Sequence, residues 1–191
     1  MIIVTEKLIH DLRESTQKQI SQTENLHLLT NEELNWRPGE DSWSILECLE
    51  HLNLYGDFYI PEMEKSIKRS NTVCQKNFRS GILGNYFAKA MLPREKLNKM
   101  KTFKSKNPIG SALDKTTIKR FIRQQKQLLD LLNQAKKIDL SKTKTGTTIS
   151  RFVKLKIGDV FRVVIYHNER HLVQINKIKR AYAQQNQHSL Q

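Results

Sequence analysis

His167 and His171 lie four residues apart in the string H-N-E-R-H. On a helix that spacing puts two imidazoles one turn apart on the same face, where both can reach one ion. The face they share is apolar, carrying Val160, Val164, Ile175 and Ile178. Imidazoles buried among aliphatic side chains cost free energy unless their ring nitrogens find partners. His51 sits in a second apolar helical pattern, one turn beyond Glu47. Three imidazoles from two helices would give the half-open set that a catalytic divalent metal uses, with a position left for water or substrate. Glu47 could orient His51 from behind or serve as a base. Its simpler role is as capping partner of Ser44, three residues upstream. Spacing alone does not separate a ligand set from hydrogen-bonded core histidines. Because Glu169 follows the first histidine by two positions, the string is neither a zincin motif nor its inverse, which argues against a metallopeptidase. Asn168 and Glu169 read as exposed helix residues, and His10, His27 and His188 as surface residues.

The elements that must position these groups are helical. Leu8, Ile9, Leu12, Ile20, Leu26 and Leu29 approximate an apolar stripe over residues 6–29, interrupted by Thr16, Gln19 and Thr23. Thr30 with Glu33, and Ser44 with Glu47, have the spacing of capping boxes on either side of the helix-breaking Pro38-Gly39 pair. Spacings of three and four from Ile45 to Ile67 define a long second helix, which Pro61 is expected to kink or shorten. Residues 70–110 read mostly as a long connection, with a short helix at 82–91 and a basic segment at 93–108. A third long helix starts at Ser111 or Asp114 and carries Ile118, Phe121, Leu128 and Leu132. Val153, Leu155 and Ile157 alternate in an extended piece that could make a short strand or simply pack along the bundle, and Asp159 is the expected N-cap of the last helix. The pattern predicts one all-α domain over residues 1–191, a four-helix bundle with a long crossover connection and a polar tail from about residue 183.

Composition bounds the partners. With 38% apolar and 27% charged residues the chain reads as a globular domain, and no apolar run reaches the roughly 20 residues that cross a bilayer. The N-terminus lacks the features of a signal peptide, so a cytoplasmic location and no membrane partner are expected. Cys48 and Cys74 lack metal-site spacing and read as two reduced thiols. Net charge is +14, and residues 65–156 alone hold 24 basic and 4 acidic side chains. Such a block could attract nucleic acid, acidic headgroups or an anionic substrate, or simply form a solvated face. K-T-G at 144–146, S-x-x-K at 15–18 and G-I-L-G at 81–84 lack the companion elements of the enzymes and RNA-binding loops that use such strings.

Two longer segments carry a family resemblance. L-N-W-R-P-G-E-D-S-W-S-I-L-E-C-L-E-H-L, ending at Leu52, resembles the first signature of the DinB-like proteins, in which W-S-x-x-E-x-x-x-H-L opens the second helix. H-N-E-R-H-L-V-Q-I, from His167 to Ile175, resembles their second signature. The resemblance implies that His51, His167 and His171 occupy the family's three metal-ligand positions. It also implies a bundle that often dimerises, so a homodimer is expected, and that usually holds zinc or nickel. Characterised members of that family include transferases acting with low-molecular-weight thiols such as bacillithiol and mycothiol. The expected function is therefore that of a metal-dependent enzyme, a thiol-dependent S-transferase or a small-molecule hydrolase with an anionic thiol as candidate cosubstrate. The alternatives are a nucleic-acid-binding stress protein using the basic region 65–156, or a metal-stabilised binding module without turnover.

Overall fold

The computed structural model describes residues 1–93, 102–150 and 152–188. Its described residues form six α-helices: α1 (Thr5–Glu24), α2 (Asn31–Asn35), α3 (Ile45–Lys68), α4 (Ile82–Met91), α5 (Thr116–Ala135) and α6 (Ile157–His188). Two antiparallel ribbons accompany them, β1 (Ile2–Val4) with β2 (Asn77–Arg79) and β3 (Lys144–Gly146) with β4 (Lys154–Lys156). The all-α bundle expected from the periodicity is what forms. Both capping boxes are made. Thr30 and Glu33 exchange bonds of 2.7 and 3.2 Å at the start of α2, and Ser44 and Glu47 exchange bonds of 2.8 and 3.2 Å at the start of α3. Each pair satisfies two N–H groups that a helix start would otherwise leave orphaned.

The four long helices pack as two crossed pairs. α1 and α3 each pack against α5 and α6, so α1 faces α3, and α5 faces α6, only across the diagonal; α4 packs on α6. The core divides into two apolar clusters. One joins Leu8 and Leu12 of α1, Met63 of α3, Leu132 of α5 and Phe161 of α6, with Phe78 and Leu155 from the ribbons. The other joins Leu46 and Leu49 of α3, Phe121 of α5, and Leu172 and Ile175 of α6. Because the first cluster takes the starts of α1 and α6 and the ends of α3 and α5, α3 runs parallel to α5 and antiparallel to α6. His51, early in α3, is thereby brought level with the middle of α6.

Between the clusters lies a polar layer. Thr16, Gln19 and Thr23, which interrupt the apolar stripe in the sequence, stay on the buried face: the two threonine hydroxyls donate to the carbonyls of Leu12 and Gln19, both at 2.8 Å, and the Gln19 amide donates to the Ile165 carbonyl at 3.0 Å. Asn53 donates to the Thr117 carbonyl at 3.1 Å, and Gln124 to the Asn53 carbonyl at the same distance. Asn168 is buried rather than exposed, because its amide donates to Gln125 Oε1 at 2.9 Å. Buried amides need partners, and these helices supply acceptors for the amide N–H groups, while the oxygens Gln19 Oε1 and Asn53 Oδ1 have no hydrogen-bond partner among the described residues.

Three further expectations change. Pro61 does not shorten α3, which continues to Lys68; burial of Tyr59, Ile60, Met63 and Ile67 outweighs the missing N–H. The connection over 70–110 holds β2 as well as α4, and residues 94–101 of its basic segment lie outside the described residues. Asp159 is not the N-cap of α6, which begins at Ile157, where the Ile157 and Gly158 N–H groups already donate to the carbonyls of Thr143 and Leu140. Its carboxylate instead accepts from Gly81 N at 2.8 Å and from the Ser80 hydroxyl, and pairs with Arg162 at 3.1 Å, which fastens the start of α4 to α6.

Gly56 lies where the Gln124 amide crosses α3, and a methyl group there would overlap that amide. Gly56→Ala is expected to destabilise the fold by about 1–3 kcal/mol despite alanine's better helix propensity, read from the urea midpoint. A midpoint equal to or above wild type would contradict this packing.

Candidate metal centre

α3 and α6 bring the three predicted histidines together. His51 Nε2 lies 3.2 Å from His167 Nε2, and His171 Nε2 lies 3.1 Å from the same atom. Ligand atoms of all three rings fall within 4.8 Å of one another, and among the described residues this is the group of histidine, cysteine and acidic side chains that could hold a metal ion. Nitrogens bound tetrahedrally to zinc at the usual bond length are separated by about 3.3 Å, close to the spacing here.

The outer ring nitrogens fix which atoms face inward. His51 Nδ1 is 2.6 Å from the Lys106 carbonyl, an acceptor only, so Nδ1 holds the proton and Nε2 turns a lone pair inward. His171 Nδ1 is 2.9 Å from Gln174 Oε1, with the same consequence. Both lone pairs point at His167 Nε2. A single N–H on that atom cannot fully satisfy both, whereas a cation at the centre can accept all three. Protonation is opposed by the surroundings. Burial pushes His51 down to about 4 and His171 down to about 3, and it holds His167 well below the usual imidazole range, where the neighbouring histidines and Arg170 lower it further. Neutral imidazole is the form a metal binds.

Aromatic rings wall the trio. Trp43 lies 4.6 Å from the His51 ring and 5.7 Å from that of His171, and its indole N–H donates to Asn107 Oδ1 at 3.0 Å. Tyr55 stands 5.0 Å from His51 and 4.9 Å from His167. Burial, with Tyr59 beside it, pushes the Tyr55 phenol up to about 12, so it stays protonated. The Lys106 ammonium sits 5.6 Å from the Tyr55 ring.

Glu47 is buried in this neighbourhood, and the groups it touches are Ser44, Arg37 and Gly110. Its carboxylate accepts from Arg37 at 2.9 and 2.5 Å, from the Ser44 N–H at 2.8 Å and from the Gly110 N–H at 2.7 Å. Gly110 has φ +81°, a conformation that glycine adopts without strain. Glu47 thus fastens the crossover loop, and that loop carries the Lys106 carbonyl to His51. Gln174 follows His171 by three positions and could have been found from helical spacing. Lys106 is 55 residues from His51, and nothing in the local pattern signals the contact.

Imidazoles converging from two antiparallel helices of a four-helix bundle define a class of helical proteins with an interior three-histidine cluster. The chain belongs to the DinB superfamily, whose sequence profile matches residues 14–175. No curated protein matches the sequence. Among solved structures, the fold is similar to YfiT from Bacillus subtilis, described as "a probable metal-dependent hydrolase with an unusual four-helix bundle topology". The two share 12% identity at a TM-score of 0.54, over 94% of this chain and 87% of that one, so the likeness is one of fold.

The depressed histidines set a pH dependence for the metal-free protein. Unfolded imidazoles titrate near 6.5, whereas the folded ones resist protonation down to about 4 and about 3. Below pH 6.5 the unfolded chain therefore binds more protons, and stability is lost as pH falls towards the folded values. Chelator-treated protein is expected to melt about 10 °C or more lower at pH 4.5 than at pH 7. In a variant with all three histidines replaced by glutamine, the part of that drop due to the trio should disappear; an unchanged drop would contradict the assignment.

Proposed function

We propose that this chain is a metal-dependent enzyme in which His51, His167 and His171 bind one divalent transition-metal ion, zinc or nickel. The observation that supports this reading best is the convergence of three Nε2 atoms whose outer nitrogens, at His51 and His171, are already committed to other partners. Such an ion supplies Lewis acidity, which activates water or a thiol near neutral pH. Three protein ligands leave a position for the reactant, as in catalytic rather than structural sites. Trp43 and Tyr55 wall the site with apolar surface, which strengthens electrostatic interactions within it. The Lys106 carbonyl and Gln174 hold two of the rings in register, as outer partners of metal-bound histidines do.

Two reactions fit this arrangement: hydrolysis of a small molecule, and transfer to or from a low-molecular-weight thiol. The charges that act on the histidines favour an anionic reactant, because Lys106 acts on His51 and Arg170 acts on His167 and His171. Two cations beside a divalent ion would draw a thiolate or carboxylate-bearing substrate inward.

Chelator-treated protein should regain turnover when zinc or nickel is restored, assayed against a panel of thiol-transfer and ester substrates. His171→Ala should lose metal and turnover together, by a factor of about 100 or more, while far-ultraviolet circular dichroism stays that of a helical bundle. Full turnover by this variant without bound metal would overturn the proposal.

A further inference from the structure

The end of the bundle built from the two ribbons and α4 presents a surface that the metal site does not use. Along α4, Gly81, Gly84 and Ala88 turn towards α6, and a side chain at Gly84 would meet Asp159. The opposite face carries Ile82, 97% exposed, Tyr86, 67% exposed, and Leu83, half exposed. Beside it, the β1–β2 register sets Ile2, itself 61% exposed, directly opposite Arg79 on the outward side of the ribbon, while Ile3 and Phe78 turn inward. Ser80 N donates to the Met1 carbonyl at 3.0 Å, which holds the start of the chain against the entrance to α4. Ile2, Ile82, Leu83 and Tyr86 are thus exposed at the same end of the bundle, where the Ser80–Met1 bond joins the ribbon to α4.

Cations border them. The β3–β4 register sets Lys144 directly opposite Lys156, although like charges facing one another across strands destabilise a ribbon. The two ribbons are tied together at this edge: the Lys156 ammonium donates to the Arg79 carbonyl at 2.7 Å, and Arg79 N donates to Ser141 Oγ at 2.9 Å. Lys156 also lies against Gly81, at the start of α4. Arg79, Lys144 and Lys156 form no ion pair among the described residues.

We propose that this end of the bundle docks peripherally on an anionic lipid bilayer, with Ile2, Ile82, Leu83 and Tyr86 entering the interface and Arg79, Lys144 and Lys156 meeting the headgroups. Charge complementarity selects this occupant. A second copy of the chain, face to face, would set cations against cations. A nucleic-acid backbone would satisfy the cations and leave Ile2, Ile82 and Leu83 in water. A bilayer surface takes both: aliphatic side chains lie at the acyl boundary, a tyrosine sits at headgroup level, and each nearby lysine adds to the attraction. No helix of the described residues is long and apolar enough to cross a membrane, so the contact is one of surface. This departs from the sequence expectation of no membrane partner: the basic block 65–156 allowed for acidic headgroups, but the face itself is not legible there, because Ile2, Ile82 and Lys156 are far apart in the chain.

The test is co-sedimentation of the full chain with vesicles of phosphatidylcholine containing roughly a quarter phosphatidylglycerol, beside vesicles of phosphatidylcholine alone, at about 0.1 M and about 0.5 M salt. Binding to the anionic vesicles at the lower salt, lost at the higher and absent on neutral vesicles, is expected. Lys144→Ala with Lys156→Ala should weaken it about 25-fold, at about fivefold per charge. Ile82→Ser with Tyr86→Ser, at exposed positions where the fold is not at stake, should weaken it at least about tenfold. The proposal is overturned by failure to bind anionic vesicles, by binding that ignores the Ile82/Tyr86 pair, or by equal binding to neutral vesicles. A doubled solution mass that those two substitutions abolish would assign the face to a second copy and overturn it as well.

Discussion

Three imidazole nitrogens turned towards one another in a low-dielectric interior are the constraint on which the rest of this structure depends. Such a cluster is unfavourable without a cation: protonation is opposed by burial, and the lone pairs lack enough donors among themselves. The bundle nevertheless holds it together from several sides. The polar layer of Gln19, Asn53, Gln124, Gln125 and Asn168 lies at the same level, between two apolar clusters that supply the cohesion. A fold that tolerates so many buried amides around three histidines spends stability where a site is needed.

The crossover between α4 and α5 is part of that arrangement. It supplies the carbonyl that orients His51, and it is fastened by the Gly110–Glu47 and Asn107–Trp43 bonds. One carboxylate, that of Glu47, therefore starts α3, pairs with Arg37 and holds the loop that sets the His51 tautomer. The capping role and a positioning role, rivals when the sequence is read alone, are compatible in the folded chain because a carboxylate has acceptor sites for several donors. The charges that lower the histidines are those of Lys106 and Arg170, and the proposed preference for an anionic reactant rests on them.

Much of this was legible in the sequence, for identifiable reasons. Helical periodicity located α3, α5 and α6, the capping boxes marked the entries to α2 and α3, and the four-residue spacing of His167 and His171 set them on one face. What the sequence concealed was non-local. Asp159 has the position of an N-cap for its own helix but serves α4, since the α6 N–H groups were taken by carbonyls from a distant turn. Thr16 and Gln19 look like breaks in an apolar stripe, yet they are buried because α6 offers Gln19 an acceptor. The diagonal placement of α1 and α3, and the Lys106 contact, depend on how the crossover runs, and no short-range pattern records that path.

Elemental analysis of the purified, untagged chain, prepared without chelators and set beside His167→Ala, tests the central claim most directly, since His167 Nε2 is the atom that both other histidines face. About one zinc or nickel per wild-type chain, absent from a variant that keeps its helical content, is the predicted result. A wild-type protein that carries no transition metal and takes up neither added zinc nor added nickel would contradict the account, and would leave the three histidines as hydrogen-bonded groups in the core of the bundle.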